Sequence, residues 1–422
     1  MTMTDMINGT KKAPRKLGLY IHIPFCRTKC LYCDFCSFVS RSEAEREAYV
    51  CALLKEIEAR GTSDYLVDTV YFGGGTPSLL TIEQIERILS AVRENFVLDE
   101  SVEITLECNP MMKSFSKNNP SVSKADTSLY TREASSADDI RIKSADPYKV
   151  ERYFKELRTL GVNRLSFGIQ SAIDSELKLI GRQHSFEDAK STFLSARDSG
   201  FDNISVDLMF GIPSQTLESL ELSVNKLTKL GAEHISIYSL QLEDGTPLYR
   251  MRDRYSLADD DTVADMYECV VALMKEAGYV HYEISNFALE GKESRHNSKY
   301  WRLDEYLGLG LAAHSDFNGK RSENTRSMDK YLLGEWVEDE NEISESEREF
   351  EFLMLGFRTS YGISKSEFFA RFGVNFDEKY GEKIEKFKKS GYFCEKGDRV
   401  ALTEGGFEVS NLILSEILDF DY

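Results

Sequence analysis

The amino-acid sequence predicts an α/β fold. Its main part is a partial, TIM-like barrel of six βα units, and a small helical, winged-helix-like domain follows at the C-terminal end. Two patterns in the sequence support this prediction. Short apolar runs alternate with amphipathic helical stretches, which is typical of parallel sheets. Polar residues suited to chemistry directly follow several of those runs, at the strand ends where a barrel carries its active loops.

Six apolar runs are predicted as barrel strands, each followed by helical periodicity. These runs are residues 17–23, 69–72, 102–106, 164–168, 204–209 and 235–240. The first two helices are expected near 42–61 and 82–96. Parallel strands need crossover connections, which such helices provide.

The chain is predicted to divide into a tail, a barrel region and a C-terminal domain. Residues 1–16 are polar and lack the apolar core of a secretory signal. Residues 17–336 hold the barrel and its extension, and the Ser-rich segment 111–146 is expected to be a disordered insertion. Residues 337–422 comprise an acidic linker and the C-terminal domain, with a hairpin at 392–402 among helices at 350–357, 365–372, 376–389 and 406–418.

Composition narrows the class of protein. The chain has 422 residues and a net charge of −19, which disfavours nucleic acid as the main partner. No apolar stretch has the length needed to span a bilayer. Eight cysteines without regular spacing indicate a reducing compartment, so a cytoplasmic location is expected.

The most informative motif is a loop with three thiols after the first strand. Cys26, Cys30 and Cys33 follow the pattern C-x3-C-x2-C. Three thiolates on a [4Fe–4S] cluster leave one iron open to a small molecule. The alternatives are a zinc knuckle or unrelated free thiols, but zinc sites usually have a second ligand pair, and the distant cysteines are isolated. Those are Cys51, Cys108, Cys269 and Cys394.

Further candidate residues follow later strands. The glycines of 73–77 let a ligand approach the backbone, although a structural turn explains them equally well. Glu107 and Gln170 end strands, and Arg182 offers a fixed cation for a carboxylate. Asp207 lies inside an apolar run, where an acid is costly unless it is paired.

Five segments together resemble the radical S-adenosylmethionine (SAM) superfamily, and in particular its coproporphyrinogen oxidase-like branch, which contains HemN and HemW. They are Y-I-H-I-P-F-C at 20–26, G-G-G-T-P at 73–77, E-C-N-P at 107–110, S-F-G-I-Q-S at 166–171 and D-L-M-F-G-I-P at 207–213. The resemblance extends from residue 17 to the C-terminal domain, apart from 111–146.

The resemblance implies a set of cofactor contacts. Cys26, Cys30 and Cys33 would hold the [4Fe–4S] cluster, whose open iron chelates SAM. When reduced, the cluster would cleave SAM into methionine and a 5′-deoxyadenosyl radical. Contacts to SAM are implied for Tyr20, Gly74 and Glu107, and positions lining a second SAM in the related oxidase correspond to Tyr32, Gly75, Thr76, Gln170, Arg182 and Asp207. Whether one or two SAM molecules bind is left open.

Two features separate the branches of this group. The oxidase typically has a fourth cysteine two positions after the third, whereas this chain reads C-D-F-C from Cys33 to Cys36. Cys36 is interpreted as a spare thiol, and the alternative is an occasional fourth cluster ligand. The segment H-N-S-K-Y-W resembles the H-N-x-x-Y-W motif of haem chaperones, which implies haem contacts at His296, Asn297, Tyr300 and Trp301.

Imidazole is a haem-iron ligand, and aromatic rings stack on a porphyrin. The alternative for His296 is an ordinary core histidine. His314 is the second-choice ligand.

The resemblance therefore predicts a haem chaperone that binds a [4Fe–4S] cluster, SAM and haem and passes haem to an acceptor protein. An electron donor is also expected, contact with a membrane would occur only through the acceptor, and the chain would be a monomer or a dimer. The alternative is an oxygen-independent coproporphyrinogen III oxidase, and a third hypothesis is a radical enzyme with another substrate. Whether the chain is an enzyme stays open at this point.

Overall fold

The computed structural model describes residues 15–40, 42–110 and 147–419. Residues 1–14 of the predicted tail and the predicted insertion 111–146 lie outside the described residues.

The described residues form seventeen strands, fifteen α-helices and two short 3-10 helices. The strands are β1 Arg15–Ile23, β2 Phe25–Cys26, β3 Phe38–Val39, β4 Thr62–Gly74, β5 Phe96–Cys108, β6 Arg164–Gln170, β7 Ile204–Phe210, β8 His234–Ser239, β9 Val280–Glu283, β10 Asn286–Ala288, β11 Tyr306–Leu309, β12 His314–Phe317, β13 Lys320–Asn324, β14 Val337–Glu342, β15 Ile363–Ser364, β16 Phe393–Lys396 and β17 Arg399–Leu402. The helices are α1 Glu43–Ala59, α2 Ile82–Asn95, α3 Pro147–Thr159, α4 Asp174–Leu179, α5 Phe186–Asp198, α6 Leu217–Thr228, α7 Pro247–Arg250, α8 Asp260–Glu276, α9 Arg295–Arg302, α10 Met328–Leu332, α11 Glu345–Gly356, α12 Lys365–Phe372, α13 Phe376–Lys389, α14 Glu404–Glu408 and α15 Ser410–Leu418.

Twelve strands form one sheet in the order β14-β13-β12-β11-β1-β4-β5-β6-β7-β8-β10-β9. The central strands β11-β1-β4-β5-β6-β7-β8 are parallel, and the flanking strands pair antiparallel. Within the described residues the sheet order runs from β14 to β9 without closing. The six parallel strands predicted from apolar runs are confirmed as β1, β4, β5, β6, β7 and β8.

The parallel strands have one apolar face and one polar face. On β1, Leu19 and Ile21 join the hydrophobic core, which also contains apolar residues of α1, α2, α3, α5, α6 and α8. The alternate residues Tyr20 and His22 lie on the other face, as the period of two in a strand requires. This second face is the interior of the barrel, and it carries the candidate site.

The helices begin where the sequence supplies caps. Ser42 and Glu45 form a capping box at the start of α1, and Thr81 and Gln84 form one at the start of α2. Each box satisfies backbone N–H groups that a helix leaves free at its N-terminus. No helix in the described part of the chain has the length and apolarity needed to cross a membrane.

The C-terminal region has a core of its own. Helices α11, α12, α13 and α15 pack around the three-stranded sheet β15-β17-β16 and bury a cluster rich in phenylalanine. This is the helical domain with a hairpin that the sequence predicts. Two details differ from the prediction. Residues 337–342, expected in a linker, form the exposed edge strand β14, and the last predicted helix is two helices, α14 and α15.

Candidate functional site

The three-thiol loop lies beyond the C-terminal end of β1. The loop runs from β2 to β3, and β2 begins two residues after β1 ends. Strands β2 and β3 pair in parallel. Cys26 is buried, whereas Cys30 and Cys33 are half-buried. The carboxyl ends of parallel strands are the edge at which barrels bind ligands, so the loop has the expected position.

Hydrogen bonds from several elements hold this loop in place. The backbone N–H of Leu31 donates to the carbonyl of Ile180 at 3.1 Å, and the N–H of Leu248 donates to the carbonyl of Leu31 at 2.9 Å. His22 Nε2 donates to the carbonyl of Cys36 at 2.9 Å, while its Nδ1 accepts from the hydroxyl of Tyr20 at 3.2 Å. His22 therefore links β1 to the far end of the loop.

Burial favours the protonated form of two of the three thiols. Burial raises the pKa of Cys26 and of Cys33 above the usual thiol value. Arg182 Nη1 donates to Cys30 Sγ at 3.5 Å, and Thr76 Oγ1 donates to Cys26 Sγ at 3.7 Å. A metal that binds such thiols must displace their protons.

A [4Fe–4S] cluster fits this donor set. Among the described residues, no three or more His, Cys, Asp or Glu side chains surround a common point as they would around one metal ion. Each cysteine of a cubane cluster ligates a different iron, so its three sulfurs do not meet at one point. Three thiols on one short loop match that chemistry.

The glycine loop after β4 requires residues without a side chain. A Cβ on Gly75 would lie 2.7 Å from the carbonyl oxygen of Phe25 and 2.8 Å from that of Ile23. Gly74 has φ +105°, and a Cβ there would lie 2.4 Å from the ring of His22. The loop can therefore pack directly against the strand that leads into the thiol loop.

Glu107 lies inside the barrel next to this glycine loop. Its Oε1 accepts from the hydroxyl of Tyr71 at 2.8 Å, and its Oε2 accepts from the N–H of Gly74 at 3.2 Å. Burial raises the pKa of Glu107, while the two hydrogen bonds oppose that shift. Tyr20 stacks on Tyr71 with ring centroids 6.2 Å apart. The carboxylate is thus held in one orientation.

Asn109 connects two of the predicted residues. Its Nδ2 donates to Thr76 Oγ1 at 2.8 Å, and its Oδ1 accepts from Arg182 Nη2 at 2.8 Å. Arg182 also donates to the carbonyl of Gly168. One side of the thiol loop is therefore lined by Thr76, Asn109 and Arg182 as a single hydrogen-bonded group.

Gln170 and Asp207 lie on β6 and β7. Gln170 has φ +74°, a left-handed conformation uncommon for a residue with a side chain, and its Oε1 accepts from the hydroxyl of Tyr238 at 2.9 Å. Burial, with the charge of Glu107, raises the pKa of Asp207 to about 7. Such perturbed groups cluster at binding and catalytic sites. Tyr32, also predicted, has its phenol pKa raised by burial.

The H-N-x-x-Y-W segment forms α9, and its residues lie on two faces. His296 is buried, with Nδ1 hydrogen-bonded to Thr69 Oγ1 at 2.8 Å and Nε2 to the hydroxyl of Tyr300 at 2.9 Å. Its ring stacks on Tyr71, and burial lowers the pKa of His296 to about 3. Trp301, five residues further on, is half-buried and lines a groove beside the C-terminal domain.

Haem contact at His296, Asn297, Tyr300 and Trp301 stays a prediction. His314, the second choice, is on the antiparallel strand β12, and its Nε2 lies 3.7 Å from Glu323 Oε1.

Several residues that contact the predicted site residues were not themselves predicted from the sequence. They are His22, Tyr71, Asn109 and Tyr238. The alternation along β1 and β4 places His22 and Tyr71 on the polar face with Tyr20, so the strand period was the available signal. Asn109 lies within the quoted E-C-N-P segment.

Comparisons with known proteins agree with this arrangement. The model of the radical SAM superfamily matches residues 20–227, and that of the HemN C-terminal domain matches residues 343–409. The structure of coproporphyrinogen III oxidase HemN from Escherichia coli aligns with a TM-score of 0.76 and 21% identity, covering 97% of this chain and 91% of that one. The fold is therefore that of a radical SAM protein with a HemN-type C-terminal domain.

Curated relatives define the family more closely. Heme chaperone HemW from Bacillus subtilis is 35% identical over 413 residues, which is 94% of this chain and 98% of the relative. Heme chaperone HemW from Escherichia coli is 32% identical, with 96% and 97% covered. The chain belongs to the HemW family, so the resemblance read from its motifs is confirmed.

Proposed function

We propose that this chain is a haem chaperone that binds a [4Fe–4S] cluster, SAM and haem and passes haem to an acceptor protein. The observation that carries the proposal is the full-length similarity to proteins named heme chaperone HemW, at 28–35% identity over about 95% of the chain. That similarity includes both the barrel and the C-terminal domain.

The contacts of the barrel support the proposed cofactor roles. Cys26, Cys30 and Cys33 would hold the cluster, and Glu107 would accept hydrogen bonds from the amino group of SAM. When bound, the cluster and SAM together supply one-electron cleavage of a carbon–sulfur bond. The chain's part is to orient SAM through Tyr20, Gly74 and the residues around Thr76, and to keep water away from it.

A second candidate function is oxygen-independent oxidation of coproporphyrinogen III. It is favoured by the likeness in fold to HemN, although identity to that structure is only 21%. The two functions differ in one measurable product. The oxidase converts coproporphyrinogen III into protoporphyrinogen by removing two carboxyl groups, whereas a chaperone returns its haem unchanged.

The test mixes anaerobically reconstituted protein with coproporphyrinogen III, SAM and dithionite. We expect no protoporphyrinogen, while the same preparation binds haemin and transfers it to an apo-haem protein. A Cys33→Ser variant, expected to lack the cluster, serves as the control for cluster-dependent product. Protoporphyrinogen formed by the unmodified chain and not by the variant would establish the oxidase instead.

We further propose that the chain acts in the cytoplasm with a separate electron donor and haem acceptor. All eight cysteines are free thiols, as a reducing compartment would keep them.

A further inference from the structure

Arg164 is a buried cation inside the barrel. It begins β6, and its side chain belongs to a residue that is only 1% exposed. It forms no ion pair or hydrogen bond with any residue of the described ranges, and its Nε is buried without a partner. A buried charge is costly unless other charges compensate it. Compensation for Arg164 must therefore come from charges that act over a longer distance than a direct contact.

The strand register places Arg164 close to Glu107, one step nearer the amino ends of the strands. Arg164 lies opposite Thr105 of β5, and Ser166 lies opposite Glu107. Alternate residues share a face, so Arg164 and Ser166 point into the barrel, while Leu165 between them belongs to the hydrophobic core. Neighbouring strands lie about 4.8 Å apart and rise about 3.3 Å per residue, so the long Arg164 side chain reaches the neighbourhood of Glu107.

A second acidic group faces the same interior. Ser166 Oγ donates to Asp207 Oδ1 at 3.3 Å. Burial and the charge of Glu107 raise the pKa of Asp207, and the charge of Arg164 opposes that rise. Burial also raises the pKa of Glu107, and Arg164 again acts in the opposite direction. The two carboxylates and the guanidinium therefore compensate one another through space.

The other cation of this region, the half-buried Arg182, is engaged elsewhere. Its Nη1 donates to Cys30 Sγ at 3.5 Å, and its Nη2 donates to Asn109 Oδ1 at 2.8 Å. A thiolate at Cys30 would hold this guanidinium more firmly, because hydrogen bonds to ionised groups are the stronger ones. The effect of Arg182 on the pKa of Asp207 is smaller than that of Arg164. Arg164 is thus the main counter-charge of the two carboxylates.

The lack of direct contact suits a binding site. Each oxygen of Glu107 accepts one hydrogen bond, from Tyr71 and from Gly74. An ionised carboxylate offers about four acceptor positions, so about two stay available for an amino group. An arginine in direct contact would occupy them with paired hydrogen bonds. Arg164 supplies positive charge without doing so, because charges interact over several ångströms where water is excluded.

Resting on the proposed function, we propose that Arg164 is a positioning residue of the SAM site, which keeps Glu107 and Asp207 ionised for a cationic ligand. SAM carries a positive charge on its sulfur and another on its amino group, so it binds best to two ionised carboxylates. Arg164 acts through these two residues and not by contact with the ligand.

The groups that face the two carboxyls keep one charge state between pH 6 and 9. Burial lowers the pKa of His234 and of His296, so both imidazoles stay neutral. Arginine side chains stay protonated in proteins. Burial raises the pKa of the facing phenols and of one thiol, which therefore stay neutral as well: Tyr20, Tyr32, Tyr71, Tyr238, Tyr300 and Cys108.

The test compares Arg164→Gln and Arg164→Met, which remove the charge, with Arg164→Lys, which keeps it. Equilibrium dialysis between pH 6 and 9 gives the SAM affinity of each anaerobic, reconstituted protein. The carboxylates are ionised above their pKa values and lose their charge as the pH falls through them, and removal of a nearby cation raises both values. We expect the neutral variants to lose SAM binding about one pH unit higher than the unmodified protein. Arg164→Lys should lose it at the unmodified midpoint.

A relocated charge separates an electrostatic role from a structural one. Thr105 is buried opposite Arg164, and its Oγ1 has no hydrogen-bond partner. Thr105→Lys in the Arg164→Gln background returns a cation on the neighbouring strand, so the midpoint should move back toward that of the unmodified protein. Arg197→Gln, which breaks the 2.9 Å ion pair between α5 and Glu233, is the control for lost stability and should keep the midpoint.

Infrared spectroscopy of the metal-free protein tests the same role without a ligand. The band of a protonated, buried carboxyl should appear at higher pH in the neutral variants than in Arg164→Lys or in the unmodified protein.

A folded neutral variant with the unmodified midpoint would overturn the role of Arg164, as would equal shifts in Arg164→Gln and Arg164→Lys. Unfolding of both neutral variants while Arg164→Lys folds would also overturn it, since the cation would then be structural. If the unmodified protein binds no SAM at any pH, the proposed function is wrong, and the infrared band alone decides whether Arg164 keeps the carboxyls ionised.

Discussion

Burial of Glu107 inside the barrel disfavours its charged form, whereas hydrogen bonds from its neighbours favour that form. The hydroxyl of Tyr71 and the N–H of Gly74 donate to its two oxygens at 2.8 Å and 3.2 Å. Both hydrogen bonds lower the pKa of the carboxyl, against the larger effect of burial, which raises it. Under the proposed function the ionised form of Glu107 would bind the amino group of SAM, so the hydroxyl of Tyr71 would affect the pH range over which SAM binds.

We therefore predict that Tyr71→Phe moves the loss of SAM binding to higher pH. Ionised Glu107 is present above its pKa and is lost as the pH falls through it. Removing the Tyr71 hydroxyl, which donates to the carboxylate, raises the pKa of Glu107. Glu107 is then protonated at a higher pH as the solution is acidified. At pH 7 we expect SAM affinity to fall about ten- to hundredfold, in line with the loss of one hydrogen bond to a charged group. Equilibrium dialysis of the anaerobic, reconstituted protein between pH 6 and 9 measures the affinity for SAM.

Tyr153→Phe provides the matched control for this prediction. Its hydroxyl donates to the carbonyl of Ser78 at 3.5 Å and does not touch Glu107. The two variants should contain equal iron and sulfide. Identical pH profiles for Tyr71→Phe and the unmodified protein would show that Glu107 does not bind SAM through its charge.

Site residues that lie within a sequence motif could be predicted from the sequence. Site residues whose role comes only from packing in the folded chain could not. Cys26, Glu107 and Asp207 can be identified from the sequence because the quoted segments contain them. Tyr71 has no motif of its own. Its importance comes from a contact between β4 and β5, which only the paired strands reveal.

Helix α9 is held against the barrel by a buried ion pair. Lys299 and Asp68 are 2.7 Å apart, and their side chains are 5% and 8% exposed. Glu103 accepts from the backbone N–H of Arg295 and of His296, which satisfies free donors at the start of the helix. A short helix of this kind depends on such contacts, because isolated short helices are marginal in water.

We predict that Asp68→Asn destabilises the protein by about 3–5 kcal/mol, because it leaves the Lys299 ammonium buried without its partner. Thermal unfolding measures the effect, and hydrogen exchange of residues 295–302 should increase most. Asp265→Asn, at an exposed position of α8, is the control. If both variants unfold at the same temperature, the ion pair does not hold α9 in place.

The period of an α-helix explains which features of α9 can be predicted from the sequence and which cannot. The resemblance implies haem contacts at four residues of H-N-x-x-Y-W, but a spacing of four residues places His296 with Tyr300 and Asn297 with Trp301. That division is readable from a sequence once the segment is known to be a helix. The position of the helix against the barrel interior depends on long-range contacts such as Thr69 to His296, which no local pattern contains.

The described residues form two large hydrophobic cores, which polar contacts join, and one small cluster of Ile180, Met209 and Ile212. One core fills the barrel region and the other fills the C-terminal domain. Length, alternation and hydrophobic periods predicted this division, since each is a property of local sequence. The edge strand β14 was missed because its six residues are all exposed and mostly acidic, which is also the pattern of a linker.

Asp316 on β12 is the centre of the polar junction between the two cores. It accepts from Arg348 of α11 with Nη2 at 2.5 Å and from Arg321 of β13 with Nη2 at 3.3 Å, and its side chain is 4% exposed. Arg321 also donates to Glu351 of α11 at 3.1 Å. The carboxylate of Asp316 therefore ties the barrel extension to the first helix of the C-terminal domain.

We predict that Asp316→Asn loosens this junction and costs about 1.5–3 kcal/mol, since bonds between charged groups are lost while both cores stay intact. Calorimetry should show the C-terminal domain unfolding before the barrel, and trypsin should cut earlier near α11. Asp339→Asn, on the exposed strand β14, should leave both measurements unchanged. A single transition shared with the unmodified protein would mean that the two cores are joined mainly by apolar packing.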